Sequence, residues 1–231
     1  MILGVVVGRA GSKGLPNKNI LDLGGKPLVQ WVMEAGLGAK KIDKLIVSSD
    51  SPKILEIAEK VGVEVPFARP EYLSADKSLV VDALKHALEH YDKEGLSFDY
   101  VVLLQPTSPF TDPADIDKAI ELALDKQADT IISGKPGGQV HPSIMFERGE
   151  DASVDWITKD SGRMSNRQSL TPVWHRAGNV YIFHTSLVRQ RKIYGDKVYS
   201  IEIPKERAIG IDDEFDLNFA RFMLSQGKIE L

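Results

Sequence analysis

The sequence predicts a layered α/β domain built on a mostly parallel sheet. Three observations carry that expectation. Short apolar runs alternate with segments of helical period, the central runs are almost continuously apolar, and the first run ends in a glycine-rich turn. Continuous apolar runs suit parallel strands covered on both faces. In such sheets ligands sit beyond the carboxyl ends of the strands.

The elements follow in order. Ile2 to Val7 reads as a buried first strand that stops at Gly8-Arg9. Pro27 to Ala39 carries Leu28, Trp31, Val32 and Ala35 on one side, which predicts a helix. Lys44 to Asp50 is a second strand. Ser51 offers an N-cap, Pro52 suits the first turn, and Gly62 stops the helix after Val61. Glu64 to Ala68 reads as a short strand and Ser78 to Tyr91 as a helix. Phe98 to Gln105, with Tyr100-Val101-Val102-Leu103-Leu104, is the central strand. Asp112-Pro113 opens another helix, and Asp129 to Ser133 is a further strand. Between about Gly134 and Trp174 the rhythm breaks into glycines, polar residues and short β-like pieces, an excursion from the sheet. Asn179 to His184 and a helix over Asp213 to Gln226 restore the pattern.

The 231 residues suit a single domain across 1–231, long enough to hide roughly 70% of its unfolded surface. An apolar fraction of 42% and a charged fraction of 27% are ordinary for a globular chain. The net charge of −4, with Lys and Arg spread along the chain, gives no basic stripe and no case for nucleic acid. The absence of cysteine excludes disulfides, thiolate zinc sites and a cysteine nucleophile. The opening apolar run is too short for a membrane span or a secretory segment, so a cytoplasmic protein without membrane attachment is expected. The five histidines show no recognised metal spacing.

The chemistry concentrates in the first turn, Gly8-Arg9-Ala10-Gly11-Ser12-Lys13-Gly14-Leu15-Pro16-Asn17-Lys18-Asn19. Its glycines let backbone approach a ligand closely and adopt conformations closed to other residues, and Arg9, Lys13 and Lys18 add fixed cations, a combination suited to a triphosphate. The spacing matches neither a Walker loop nor the dinucleotide fingerprint, which disfavours a dehydrogenase.

Arg9-x-Gly11-Ser12-Lys13-Gly14-x-Pro16-x-Lys18-Asn19 resembles the signature of the acylneuraminate cytidylyltransferases, the CMP-sialic acid synthetase family. Gly24-Gly25-Lys26-Pro27-Leu28 is shared more widely with sugar nucleotidyltransferases. Leu103-Leu104-Gln105-Pro106-Thr107-Ser108-Pro109 is a second strong match. Arg69-Pro70, Arg167-Gln168, Gly178 to Tyr181, and Ile211-Asp212 with Asp216-Leu217 follow in the same order. The ordered set covers essentially the whole chain.

The resemblance implies a Rossmann-like nucleotidyltransferase fold of three α/β layers, of the nucleotide-diphospho-sugar transferase type. It also implies a dimerisation arm over about 135–175 and a homodimer with a shared active site. It implies that Gly8, Gly11, Ser12, Lys13 and Gly14 cradle the phosphates of CTP, that Arg9 and Lys18 stabilise the transferring phosphate, and that Asn19, Arg69 and Ser78 meet the nucleoside. Gln105 would bind an acidic nine-carbon sugar. Arg167 would reach its carboxylate from the neighbouring arm, and Tyr181 is either a sugar contact or a core aromatic. Thr107 and Ser108 are open between ligand contact and capping of the helix near Asp112. The family's metal segment usually carries two aspartates at alternate positions, but here Gly210 replaces the first. That leaves Asp212 to hold Mg²⁺, while Asp213 and Asp216 suit the start of the last helix.

The activity so implied is N-acylneuraminate cytidylyltransfer. Kdo or a phosphonate as acceptor, a sugar 1-phosphate with another nucleotide, and a non-catalytic nucleotide binder are the alternatives. The sequence offers no obvious side-chain base.

Overall fold

A computed structural model describes residues 1–12, 14–138, 140–158 and 171–229. Six strands form the main sheet in the order β10-β6-β9-β5-β1-β4. They are β1 (Ile2–Gly8), β4 (Lys44–Ser49), β5 (Tyr100–Leu104), β6 (Thr130–Pro136), β9 (Trp174–His184) and β10 (Val198–Glu202). Only β9 runs antiparallel to its neighbours β5 and β6; the other pairings are parallel. Two small two-stranded sheets stand apart: β2 (Asp22–Leu23) with β3 (Lys26–Pro27), and β7 (Phe146–Arg148) with β8 (Val154–Trp156).

The strand period of two divides the core. Val6, Val102 and Leu104 face one side, against α1 (Leu28–Gly38), α2 (Pro52–Val61) and α4 (Pro113–Lys126). Leu3, Val5, Val101 and Leu103 face the other side, against α3 (Val80–Lys93) and α5 (Thr185–Arg189). This three-layer arrangement is the α/β fold expected from the alternation of strands and helices. A third apolar cluster joins Leu23, Leu28 and Phe110 to Ile211, Leu217 and Ala220, seating α6 (Glu214–Ser225) beside the first small sheet.

The local signals act as their chemistry demands. Ser51 accepts from the Ile54 amide at the start of α2, and Gly62 closes that helix at φ 90°. Asp112 caps α4 through the Ala114 amide, so neither Thr107 nor Ser108 serves as that cap. Asp213 and Asp216 form a reciprocal capping box on α6.

Other expectations are corrected. Glu64 to Ala68 contributes a single bridge from Glu64 to Ile46 rather than a strand. Strand β9 begins at Trp174, five residues before Asn179, because its first part pairs with β6. Strand β10 and helix α5 had no clear periodic signal; all four β10 residues other than Ile201 are exposed at the sheet edge.

One connection matters most for function. The segment from Ile203 to Asp213 crosses the carboxyl ends of the strands before α6 begins. Arg207 anchors it, with Nη1 donating to Asp115 Oδ2 at 2.6 Å and Nη2 to Asp115 Oδ1 at 3.3 Å. Asp112 lies 3.1 Å from the same guanidinium. Lys135 donates to the Ala208 carbonyl, Asn179 to the Arg207 carbonyl, and Ile211 to the Thr107 carbonyl. Burial raises the Asp115 carboxyl above the usual aspartate range; Arg207 opposes that rise and Asp112 adds to it.

Removing one member of this pair strands the other. Arg207→Met is expected to lower the unfolding free energy by about 3 kcal/mol in a urea titration, and adding Asp115→Leu is expected to restore most of it. A double variant no more stable than the single one would contradict the assignment.

Candidate functional site

Strand β1 lies between β5 and β4; the chain passes from β1 to β4 on one side and then crosses back to β5 on the other. A crevice therefore opens beyond the carboxyl ends of β1 and β5, at the point where the strand order reverses. A cleft of about 560 Å³ occupies that place. Arg9, Ser12, Gly14, Lys18 and Asn19 line it from the first loop, Arg69 to Val80 from the segment before α3, Gln105 to Thr107 from the end of β5, and Asp212 from the crossing segment.

The first loop is held from several sides. The Asn19 amide donates to the Arg9 carbonyl at 2.9 Å and is buried, so its visible role is to shape the loop. Asp50, at the end of β4, accepts from the Ala10 amide at 3.0 Å. Lys18 opens a short 3₁₀ turn, Lys18–Ile20, that follows Asn17 in a left-handed conformation at φ 56°. The loop glycines do not take positive φ among the described residues. Gly14 is required for a different reason: a Cβ there would lie 2.9 Å from the Asp212 carbonyl oxygen, where the first loop meets the crossing segment. Gly8 ends β1 and Gly11 is open to solvent. Lys13 lies outside the described residues.

Three cations face the cleft, each beside a carboxylate. Arg9 Nη1 donates to Asp76 Oδ1 at 3.2 Å. Lys18 Nζ donates to Asp212 Oδ1 at 2.9 Å; the Lys18 side chain is 13% exposed and that of Asp212 83%. Arg69 is buried rather than a surface charge. It donates to the Gly8 carbonyl at 3.0 Å and to Ser74 Oγ at 2.9 Å, and lies 3.5 Å from Asp50 Oδ1. Burial lowers the Arg69 guanidinium below its ordinary value, Asp50 opposes that, and Arg9 adds to it. Ser78 donates to the Tyr72 carbonyl and closes the loop that carries Asp76.

Gln105 stands between this cleft and an annex of about 300 Å³. Tyr181 lines the annex, and burial raises its hydroxyl above the usual range. Tyr181 also stacks on Phe183 at 6.3 Å, so it belongs to both cavity wall and core. Arg167 lies outside the described residues. The structure thus gathers Arg9, Ser12, Gly14, Lys18, Asn19, Arg69, Ser78, Gln105 and Asp212 around one space, with Tyr181 beside it.

Sequence reasoning missed Asp50, Asp76 and Arg176. Asp50 had a signal, since it follows directly on a strand at the ligand-bearing edge. Asp76 sits in an irregular loop and Arg176 depends on strand pairing, neither of which the sequence displays.

A family model described as cytidylyltransferase matches residues 3–206. An N-acylneuraminate cytidylyltransferase from Escherichia coli O18:K1:H7 is 32% identical over 225 residues, 95% of this chain and 51% of that protein. The chain therefore spans about half the length of that relative. A pseudaminic acid cytidylyltransferase from Campylobacter jejuni serotype O:23/36 is 29% identical, with 95% of this chain and 94% of that one covered. A CMP:2-keto-3-deoxy-manno-octonic acid synthetase, solved in complex with CTP, shares the fold at a TM-score of 0.70 and 16% identity, covering 98% of this chain and 99% of that one.

The Lys18–Asp212 pair makes a measurable prediction. Exposed pairs of this kind contribute up to about 1 kcal/mol. Asp212→Asn is expected to tighten pyrophosphate binding by up to about fivefold in metal-free calorimetry, because Lys18 is released. Unchanged or weaker binding would contradict a competition between Asp212 and the anion.

Proposed function

Because the chain belongs to the cytidylyltransferase family, we propose that it is an enzyme that transfers CMP from CTP to a sialic-acid-like nonulosonic acid and releases pyrophosphate. The relatives' names support this acceptor class, since they include N-acylneuraminate and pseudaminic acid cytidylyltransferases. The observation that carries the reading is the convergence of Arg9, Lys18 and Arg69 on one cleft with Gln105 at its far side.

The reaction is a displacement at the α-phosphorus. The anomeric hydroxyl of the sugar gives up its proton to solvent as its oxygen bonds to the α-phosphorus, the bond from that phosphorus to the α–β bridging oxygen breaks, and pyrophosphate leaves with its electron pair. Arg9 and Lys18 offset charge on the phosphates as it develops. Gly8, Gly11, Ser12 and Gly14 form the cradle, to which the resemblance adds Lys13, outside the described residues. Arg69 acts mainly by fixing the loop before α3, on which Ser78 faces the nucleoside, and Asn19 shapes the floor beneath it. Gln105 and Tyr181 hold the sugar. The described lining of the cleft carries two carboxylates, Asp76 and Asp212, and no histidine to remove the hydroxyl proton.

Mg²⁺ is part of the proposal. Among the described residues no group of three or more acidic or histidine side chains could hold a metal. The exposed Asp212 carboxylate fits a Mg²⁺ held by one protein ligand together with waters and phosphate oxygens. Such an ion supplies charge neutralisation on the triphosphate. Lys18 passes from Asp212 to the phosphates when the site fills.

A homodimer is proposed from the excursion after β6. Phe146, Val154 and Trp156 of the β7–β8 sheet are exposed, as are Ile144, Met145 and Ile157 beside them. The family resemblance assigns Arg167, which lies outside the described residues, to the neighbouring site of such a dimer. A cytoplasmic location completes the proposal. Among the described residues no helix is long and apolar enough to cross a membrane.

The test is pyrophosphate release across nucleotides and acceptors. Turnover is expected with CTP and N-acetylneuraminic, pseudaminic or legionaminic acid, and not with GTP or UTP and a sugar 1-phosphate. Turnover of Kdo or a phosphonate alone, or CTP binding with no turnover, would replace this reading. Lys18→Met is expected to lower kcat on the order of 100-fold. A Cβ at Gly210 meets nothing within 4 Å, so Gly210→Asp fits and should lower the Mg²⁺ needed for half-maximal rate.

A further inference from the structure

Strand β9 does not run regularly past β6. Ile132 pairs with Tyr181, but Gly134 pairs with Arg176. Ser133 alone therefore stands opposite the four residues 177–180, an enlarged bulge beyond the usual two against one. The bulge is closed by specific bonds. The Ser133 hydroxyl donates to the Ala177 carbonyl at 2.6 Å and accepts from the Val180 amide at 3.0 Å. Asn179 is fully buried and donates to Thr111 Oγ1 and to the Arg207 carbonyl.

The consequence is geometric. Residues five apart on a regular strand point to opposite faces. Here Arg176 and Tyr181 pair with residues only two apart on β6, so they share one face. Both line the annex, which shares Val80 and Gln105 with the nucleotide cleft. Gly178 presses the bulge against the end of β5, since a Cβ there would lie 2.4 Å from Ser108 Oγ and 3.8 Å from Gln105 Oε1.

The annex is otherwise apolar and aromatic, with Leu103, Phe183 and Ile193 in its wall. Among the described residues that line it, Arg176 is the one charged side chain and none is a carboxylate. Its Nη1 donates to Tyr194 Oη at 3.0 Å, which fixes the guanidinium at the cavity edge. An arginine fork in such surroundings suits a planar carboxylate, which it meets through two parallel bonds.

We propose that Arg176 docks the carboxylate of the acceptor acid, delivered by the β9 bulge to the same chain's Gln105 and nucleotide cleft. The inference rests on the cytidylyltransferase reading given above. It places acid recognition in the chain that binds the nucleotide, whereas the family resemblance assigns it to Arg167 of a neighbouring arm. Arg176 is accordingly a specificity-determining residue.

The test compares N-acetylneuraminic acid with its neutral methyl ester. Both are titrated calorimetrically into the full-length protein in the presence of CDP, and KM values are measured for the acid and for CTP. The wild type is expected to prefer the acid at least tenfold. Arg176→Gln is expected to abolish that preference and raise the KM for the acid at least tenfold, with the KM for CTP changed less than twofold. Arg176→Lys, which keeps the charge without the fork, is expected to retain part of the preference. An Arg176→Gln protein that still prefers the acid overturns the proposal and leaves the cytidylyltransferase reading intact. So does loss of the preference in Arg167→Gln but not in Arg176→Gln. A wild type that neither binds nor turns over this acid, pseudaminic acid or legionaminic acid overturns both.

Discussion

The ion pair between Arg207 and Asp115 holds the site together. It fastens the crossing segment to the first turn of α4, and that segment carries Asp212 over the carboxyl ends of the strands. Taking both charges out of water is costly, and the raised Asp115 carboxyl records how incompletely Arg207 offsets its burial. Such a pair is a weak source of net stability compared with apolar packing. Its value is positional, because an arginine fork on a carboxylate fixes direction as well as distance. Gly14 and Lys18 both take their places from Asp212, one through its carbonyl and the other through its carboxylate.

The cations of the cleft differ in how freely they can move. Arg69 is buried, bonded to Gly8 and Ser74 and beside Asp50, so it acts as scaffold for the two loops that enclose the nucleotide side. Arg9 with Asp76 and Lys18 with Asp212 are held more loosely, since one partner in each pair is well exposed. A pair of that kind contributes roughly 0–1 kcal/mol, small against the attraction of a triphosphate for fixed cations. Among the described residues the charges of the cleft are thus paired at little cost, which suits a chain of net charge −4 proposed to receive a polyanion.

The nucleotide half of the site was legible in the sequence because it is contiguous there. Gly8 to Asn19 follows one strand and Gln105 ends another, and in a parallel sheet both ends come to the same edge. The capping residues Ser51, Asp112, Asp213 and Asp216 were equally readable, since a cap is decided within four residues. What the loop glycines do was misread in part. Spacing suggested freedom of backbone angle, but positive φ falls to Asn17, and Gly14 is dictated by a carbonyl some two hundred positions away. No local pattern encodes such a contact.

The annex, where the acceptor is proposed to bind, was hidden for a related reason. It is assembled by β9, the one strand of the six-stranded sheet that runs antiparallel to its neighbours, and by a bulge whose register is set on β6 by Ser133. Arg176, Tyr181, Ile193 and Tyr194 reach one cavity only through that pairing and the turn that follows α5. Two construction rules therefore meet at Gln105. The nucleotide side depends on backbone approach and fixed cations, which tolerate little change. The acceptor side depends on which side chains a bulged strand presents, and substitutions along β9 alter that without disturbing the parallel core. On the proposed reading, a division of this kind gives one nucleotide-binding frame the means to serve different acids, with the choice lodged in the strand that runs against the rest.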